Sequence, residues 1–152
     1  MANPFPFVSG NVLLASELNG IGEAGTTFTP TWSGYTRGNG TTVAYYVRVN
    51  KLVYVYVEET LGSTSSMGSA PTLTLPITAS RLQAISPSRN RIDDTGAQVF
   101  WGTTVPISTT QVVVYADLAS GTYVSFAGIT ATVPHTWAST DKFAIAFVYE
   151  AA

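Results

Sequence analysis

The chain has 152 residues, of which 45% are hydrophobic and only 11% charged, and it contains no cysteine. Its net charge of −2 argues against a nucleic-acid partner, which requires a basic surface, and the lack of cysteine excludes disulfides and thiolate chemistry. No segment approaches the roughly 20 apolar residues of a membrane span, and no basic amphipathic stretch indicates a membrane surface.

The low charge also bears on assembly, because an average domain has about 25% charged residues. A chain of this length forms one domain and buries roughly 70% of its unfolded surface. It has few charges with which to cover a free monomer. A β protein coated with threonine and serine would fit this composition. A subunit that hides much of its surface in an assembly fits better, and we favour it.

The N-terminal segment, residues 1–25, is predicted to be an anchoring arm. Pro4 and Pro6 favour an extended chain, in which Phe5 and Phe7 can dock on a neighbour or fold back on this subunit. Residues 12–19 are the best helix candidate, and they are too short to be stable without a packing partner. The apolar residues of the arm and helix predicted to anchor it are Phe5, Phe7, Val12, Leu13, Leu14 and Leu18.

Glycines 20, 22 and 25 follow the helix and match a G-x-G-x-x-G pattern. A dinucleotide site needs a strand before this pattern and a helix opening from it. Here a short helix precedes it and strand residues follow, so we interpret it as a hinge and predict no cofactor.

The rest of the chain, residues 26–152, reads as an all-β domain. Runs of β-branched and aromatic residues between Gly, Pro, Ser, Thr and Asn predict about eight antiparallel strands, at 26–33, 41–50, 51–60, 71–77, 98–105, 110–117, 122–133 and 142–150. Residues 62–70 and 81–96 are predicted loops. This pattern predicts a single β-sandwich, with a jelly roll as first choice and a barrel or immunoglobulin-like sandwich as the alternative.

The stretch 38–59 organises the prediction, because two strand-like runs flank Asn50 and Lys51. A two-residue turn fixes the register, which places Tyr45 opposite Tyr56. Both faces of this hairpin are then mostly apolar, whereas a solvated hairpin alternates apolar with polar residues. One face would form the core and the other a subunit contact, and a one-residue slip would exchange them. The predicted contact residues are Ala44, Tyr46, Arg48, Val53, Val55 and Val57.

Few residues suggest catalysis or metal binding. Glu58 and Glu59 are adjacent on a predicted strand, so they point to opposite faces and cannot by themselves form a glycosidase pair. The adjacent acids at 93–94 are interpreted as part of a salt-bridged loop, with a calcium site as an alternative. His135 is the only histidine and is expected in a loop or at a strand end. We predict no enzyme activity and no metal site.

The aromatic residues leave one alternative open. Trp32, Trp101, Trp137, Tyr35 and Tyr123 could line a sugar-binding platform, although aromatic residues at strand spacing are usually part of a core. A carbohydrate-binding domain for adsorption to a host is therefore kept as the second hypothesis, with a host-surface glycan as its partner.

An ordered set of motifs in the first half of the chain resembles structural proteins of tailed bacteriophages, especially those of actinobacteria. The residues that carry this resemblance are FVSGNVLLASELN at 7–19, similar to F-x-x-G-x-V-L-T-A-x-x-L-N; TPTWSG at 29–34, similar to T-P-T-W-T-G; GNGT at 38–41 with YVRV at 46–49 and KLV at 51–53, similar to G-N-G-T…Y-x-R-x-G-x-x-V; and TLTLP at 72–76. Asn50 stands where the family often has glycine.

The resemblance implies a virion component made in the host cytoplasm and displayed on the virion surface. It would be a capsid decoration (cementing) protein or short head fibre, with a minor tail or receptor-binding protein as the alternative. Such proteins are commonly homotrimers, fixed to the particle by an N-terminal segment. The implied partners are further copies of this chain and the major capsid protein or another virion protein.

Overall fold

A computed structural model describes residues 25–86, 88–120 and 122–152. It contains ten strands, all paired antiparallel. They are β1 (Thr26–Thr27), β2 (Trp32–Thr36), β3 (Thr41–Val49), β4 (Leu52–Thr60), β5 (Ser66–Thr74), β6 (Ser88–Asp94), β7 (Gln98–Ser108), β8 (Gln111–Ser120), β9 (Tyr123–Gly128) and β10 (Lys142–Glu150). One turn of 3₁₀ helix spans Leu82–Ala84. No helix in this part of the chain is long and apolar enough to cross a bilayer.

The strands form one hydrogen-bonded path in the order β1-β3-β4-β10-β6-β7-β8-β5-β2, with β9 attached to β8. The sheet curls strongly, so that β2 at one end packs against residues near the other end. Trp32 and Tyr35 of β2 each make edge-to-face contacts with Phe143 in the centre of the sheet. The all-β prediction is confirmed, but the path does not divide clearly into the two sheets of a sandwich.

The core lies on the concave face. Strand β10 occupies the middle of the sheet and alternates strictly, with its inner side chains almost completely buried. They pack with the inner residues of the neighbouring strands because a period of two sends every second side chain to the same face. The largest fully buried side chains include Tyr149, Phe143, Leu73, Ile92, Ile129 and Ile145.

Two predicted loops are wrong in part, because each contains residues of a strand. Residues 66–70 belong to β5, although Gly68 and its small neighbours signal a loop. The residues are small because β2 approaches this part of β5 too closely for larger side chains. A Cβ on Gly68 would lie 2.9 Å from the backbone oxygen of Gly34. Residues 88–94 form β6, in which buried Asn90 and Ile92 alternate with exposed or half-buried charged residues.

Candidate interaction surfaces

The β3–β4 hairpin forms in the predicted register. Val49 pairs with Leu52, Val47 with Tyr54 and Tyr45 with Tyr56. Asn50 adopts a φ of 56°, the left-handed conformation that asparagine tolerates and that a two-residue hairpin turn requires. The turn chemistry therefore determines which side chains share each face.

Three tyrosines cluster on the convex face of this hairpin. The ring of Tyr45 stacks on that of Tyr56 with centroids 5.3 Å apart, and lies 6.4 Å from that of Tyr54. The Tyr56 hydroxyl donates a 2.9 Å hydrogen bond to Oε2 of Glu58. Partial burial and this hydrogen bond raise the pKa of Tyr56 to about 12. The rings thus form a preorganised apolar surface with one polar border.

The apolar surface continues onto β10, where Val148 pairs with Tyr54 and Ala146 with Tyr56. Val43, Val49 and Leu52 are more than half exposed at its margins. Because the inner face of the same strands forms the core, this part of the sheet is apolar on both sides. We call the surface the tyrosine face, and its residues are Val43, Tyr45, Val47, Val49, Leu52, Tyr54, Tyr56, Ala144, Ala146 and Val148.

The six predicted contact residues belong to the opposite, concave side, and four of them are buried inside the subunit, which contradicts their assignment to a contact surface. Val53, Val55 and Val57 are completely buried and Ala44 is 8% exposed, all within the core. Tyr46 is half-buried and packs edge-to-face with Phe28 at 6.0 Å. Arg48 is exposed at the turn, where its Nε donates to the backbone oxygen of Asn50. The direction in which the sheet curls decides which face is inside, and the hairpin sequence does not specify it.

The six predicted anchoring residues, all between positions 5 and 18, lie outside the described residues. The described chain begins at Gly25, beside the tyrosine face. A Cβ on Gly25 would lie 2.7 Å from a ring carbon of Tyr45. Strand β1 then pairs with the outer edge of β3 through Thr26 and Thr27.

A buried carboxylate lies on the concave side of β4. Glu59 is completely buried, and Oε1 accepts a 2.8 Å hydrogen bond from Trp32 Nε1 while Oε2 accepts a 2.6 Å bond from Thr42 Oγ1. Burial raises the pKa of Glu59, and the two hydrogen bonds and the charge of Arg37 oppose that rise. Glu58 points to the convex face, as the alternation predicted, so the two acids do not form a catalytic pair.

A second polar cluster joins the segment before β10 to the β6–β7 turn. Ligand atoms of Asp94, His135 and Asp141 lie within 4.8 Å of one another. The Asp141 carboxylate accepts hydrogen bonds from the backbone nitrogens of Thr95 at 3.0 Å and Ala138 at 2.7 Å, and lies 3.1 Å from His135 Nε2. Asp141 therefore fixes the loop, and its oxygens are already engaged. Sequence reasoning missed this cluster, because its members are far apart along the chain.

The five candidate sugar-platform residues separate into two groups. Trp32, Tyr35 and Trp137 pack against the core, as expected for aromatic residues in strands or next to them. Trp101 is 52% exposed on the convex side of β7, and Tyr123 is 82% exposed at the β8–β9 turn. Phe126 of β9, not predicted as a site residue, is 56% exposed.

Comparison with known proteins gives no match to this chain among protein-family models, curated proteins or solved structures.

Proposed function

We propose that this chain is a non-enzymatic structural subunit of a bacteriophage virion, a capsid decoration protein or short head fibre. The ordered motifs at 7–19, 29–34, 38–53 and 72–76 support this proposal through their resemblance to phage structural proteins. In it, residues 1–25 attach the subunit to the major capsid protein or another virion protein, and the β domain self-associates outside. A jelly-roll description of that domain stays a prediction.

The tyrosine face is the observation that carries self-association. Its ten residues include no charged side chain, although Glu58 lies between Val43 and Ala144 at one end, and Lys142 and Glu150 border it. With strands about 4.8 Å apart and residues about 3.3 Å apart, three strands over seven residues cover roughly 14 by 20 Å. A contiguous convex apolar surface of this kind supports the proposal of an interaction site. Burying it against further copies removes tyrosine and valine side chains from water.

A homotrimer is the assembly that the family resemblance implies, and the tyrosine face is the contact that we propose for it. Each subunit would present the Tyr45, Tyr54 and Tyr56 cluster to its neighbours. Large, rigid aromatic side chains contribute strongly to such contacts because they bury much area at low entropic cost. Many trimers on a lattice would then gain affinity for the particle through multivalency.

The buried polar groups support a structural role. Glu59 accepts hydrogen bonds from two different strands, and Asp141 accepts them from two backbone nitrogens. The hydrogen bonds of each carboxylate fix the position of the strands or loop around it. Asp141 also contacts His135 Nε2 at 3.1 Å, but both side chains are more than nine-tenths buried.

Self-association is tested by sedimentation equilibrium of the full chain and of Tyr54→Glu. The wild type is expected at three times the 16.1 kDa chain mass, and Tyr54→Glu at the mass of one chain, because a charge would be buried in the contact. The matched control is Val99→Glu, which places the same charge on the convex side of β7 and should leave the mass unchanged. A monomeric wild type at about 100 μM would refute the proposed contact.

Attachment is tested separately with a chain that lacks residues 2–22. It should keep its sedimentation mass but lose binding to purified phage heads in a pelleting assay. If the shortened chain binds heads with unchanged affinity, the proposed anchoring role is wrong, whatever the oligomeric state.

A further inference from the structure

A second surface lies on the convex side of strands β6 to β9, away from the tyrosine face. Trp101 pairs with Arg91 across β6 and β7, and Asp117 pairs with Phe126 across β8 and β9. Because Gly102 pairs with Ala116, Trp101 and Asp117 occupy adjacent positions of the same face. The result is one row across four strands, which we call the aromatic row: Arg91, Trp101, Asp117 and Phe126.

Both aromatic rings of this row face solvent. Trp101 lies where β8 stops pairing with β7, and residues 117–120 of β8 pair only with β9. Phe126 stacks on one side against Tyr115, with centroids 6.1 Å apart. A Cβ on Gly128, opposite Tyr115, would have no atom within 4 Å. The exposure of Trp101 and Phe126, with open space beside Phe126 at Gly128, leaves both rings accessible.

A charged pair lies between the two rings. Arg89 NH1 is 2.7 Å from Asp117 Oδ2, and its guanidinium carbon is 5.9 Å from the centre of the Trp101 ring. Thr103 Oγ1 donates to the other oxygen of Asp117 at 3.3 Å. Arg91 pairs with Asp93 at 2.7 Å. The surface thus offers donors and acceptors close to the rings, and its charges balance.

We propose that the aromatic row binds an uncharged oligosaccharide, a role that does not depend on the assignment to a virion. A pyranose ring has an apolar C–H face that stacks on an aromatic ring, and its hydroxyls can both donate to a carboxylate and accept from a guanidinium. The Arg89–Asp117 pair presents both groups, and hydrogen bonds to charged partners are the stronger kind.

The spacing of the rings indicates more than one sugar unit. Trp101 and Phe126 are two strands apart, which corresponds to about 10 Å. This is close to the length of two linked pyranose rings. One ring could stack on Trp101 and the next could reach Phe126, with the Arg89–Asp117 pair between them.

A sugar fits this surface better than a protein or an anion does. A protein partner would remove the Arg89–Asp117 pair from water, and the desolvation cost of an ion pair can exceed its gain. An anionic ligand would meet Asp93 and Asp117 as well as the two arginines. The tyrosine face differs in this respect, because it has no charged pair among its rings.

The proposal is tested by isothermal titration of the full chain with cellotetraose, chitotetraose, maltotetraose and mannotetraose. At least one tetrasaccharide should bind with a Kd between about 10 μM and 1 mM. Trp101→Ala should weaken that binding at least about tenfold, since the stacking surface is lost. Phe126→Ala should weaken it too, and provides a second variant on a different strand.

Tyr123→Ala is the matched control, because this more exposed aromatic residue alternates to the opposite side of β9. It should bind as the wild type does, and thermal melts should show that all three variants are folded. The proposal is overturned if none of the four sugars binds with a Kd below about 1 mM, or if Trp101→Ala retains full affinity. It is also overturned if Trp101→Ala changes the sedimentation mass, since the row would then be a contact between copies.

Discussion

Trp32 and Glu59 connect the two ends of the sheet. The Trp32 indole nitrogen, on terminal strand β2, donates a 2.8 Å hydrogen bond to Glu59 on β4, whose other oxygen accepts from Thr42 on β3 near the opposite end. One carboxylate therefore links terminal strand β2 to β3 and β4, which the antiparallel pairing of the sheet does not join directly to β2. The Trp32 ring also packs edge-to-face against that of Phe143, with centroids 5.4 Å apart.

Replacing Trp32 with phenylalanine tests the energetic value of this link. Trp32→Phe keeps most of the ring but removes the donor, so a buried carboxylate loses one of its two partners. We expect the free energy of unfolding to fall by about 1–3 kcal/mol, measured by urea denaturation at fixed protein concentration. Trp101→Phe is the control, and this exposed substitution should change stability by less than about 0.5 kcal/mol. Equal losses in both variants would contradict the stabilising role of this link.

Glu59 should make stability depend on pH in a direction opposite to that of a salt-bridged acid. Its folded pKa is raised from 4.5 by burial, so the folded state binds more protons than the unfolded chain between those two pKa values. The stability from this group is full below the unfolded pKa and is lost as the pH rises through the folded pKa.

Glu59→Gln isolates this effect, because an amide can accept from Trp32 and donate to Thr42 without titrating. Relative to Glu59→Gln, the wild type should lose stability as the pH rises from about 4 towards neutrality, measured by urea denaturation at a series of pH values. Wild-type and variant curves that run parallel over this range would show that the pKa of Glu59 is not raised.

Tyrosine ionisation provides a test at alkaline pH. Burial, as the largest cause, raises the pKa of Tyr35, Tyr56 and Tyr149 from 10.0 to about 12 each. These three of the eight tyrosines should still be protonated at about pH 11 in the folded protein. Stability should fall between about pH 10 and 12, because the unfolded chain releases these protons first. Ultraviolet absorbance of tyrosinate measures the ionisation, and urea denaturation at each pH measures the stability. A single titration of all eight tyrosines near pH 10 in the folded protein would contradict the prediction.

Gly102 and Gly128 form a matched pair of substitutions on β7 and β9, the two strands that pair with β8. A Cβ at Gly102 would collide with the backbone oxygen of Tyr115, which cannot move without breaking β7 from β8. Gly102→Ala should therefore destabilise the protein by about 1–3 kcal/mol. Gly128→Ala meets no atom within 4 Å and should be nearly neutral in stability. Thermal melts of both variants decide this, and similar melting temperatures would be inconsistent with the close approach at Gly102.

The β3–β4 register could be predicted because it depends on local chemistry. Asn50 supplies the turn, and alternation then sets every pair. The buried face could not be predicted, because Val53 and Val55 are as apolar as Leu52 and Tyr54. That choice is made by β10, which pairs with this hairpin from far along the chain, and by β2, which packs against it.

Strand β6 shows a different limit of prediction from sequence. Its sequence, SRNRIDD, has the polarity of a loop, and only Ile92 is an apolar inner residue. Asn90 replaces a second one, and it is satisfied inside because Nδ2 donates to the backbone oxygen of Tyr115 at 3.1 Å. The charged residues at 89, 91 and 93 do alternate with period two, as in a strand, and they form its outer side near the aromatic row. A count of apolar residues overlooks such a strand.

The central place of β10 has a consequence for synthesis on the ribosome. Residues 142–150 separate β4 from β6 and provide pairing partners to both. A nascent chain that ends before them has two incomplete half-sheets, each exposing apolar side chains and unpaired edges. Productive folding must therefore wait until this segment has emerged, and the long sequence separation between β10 and β4 makes the final pairing slow.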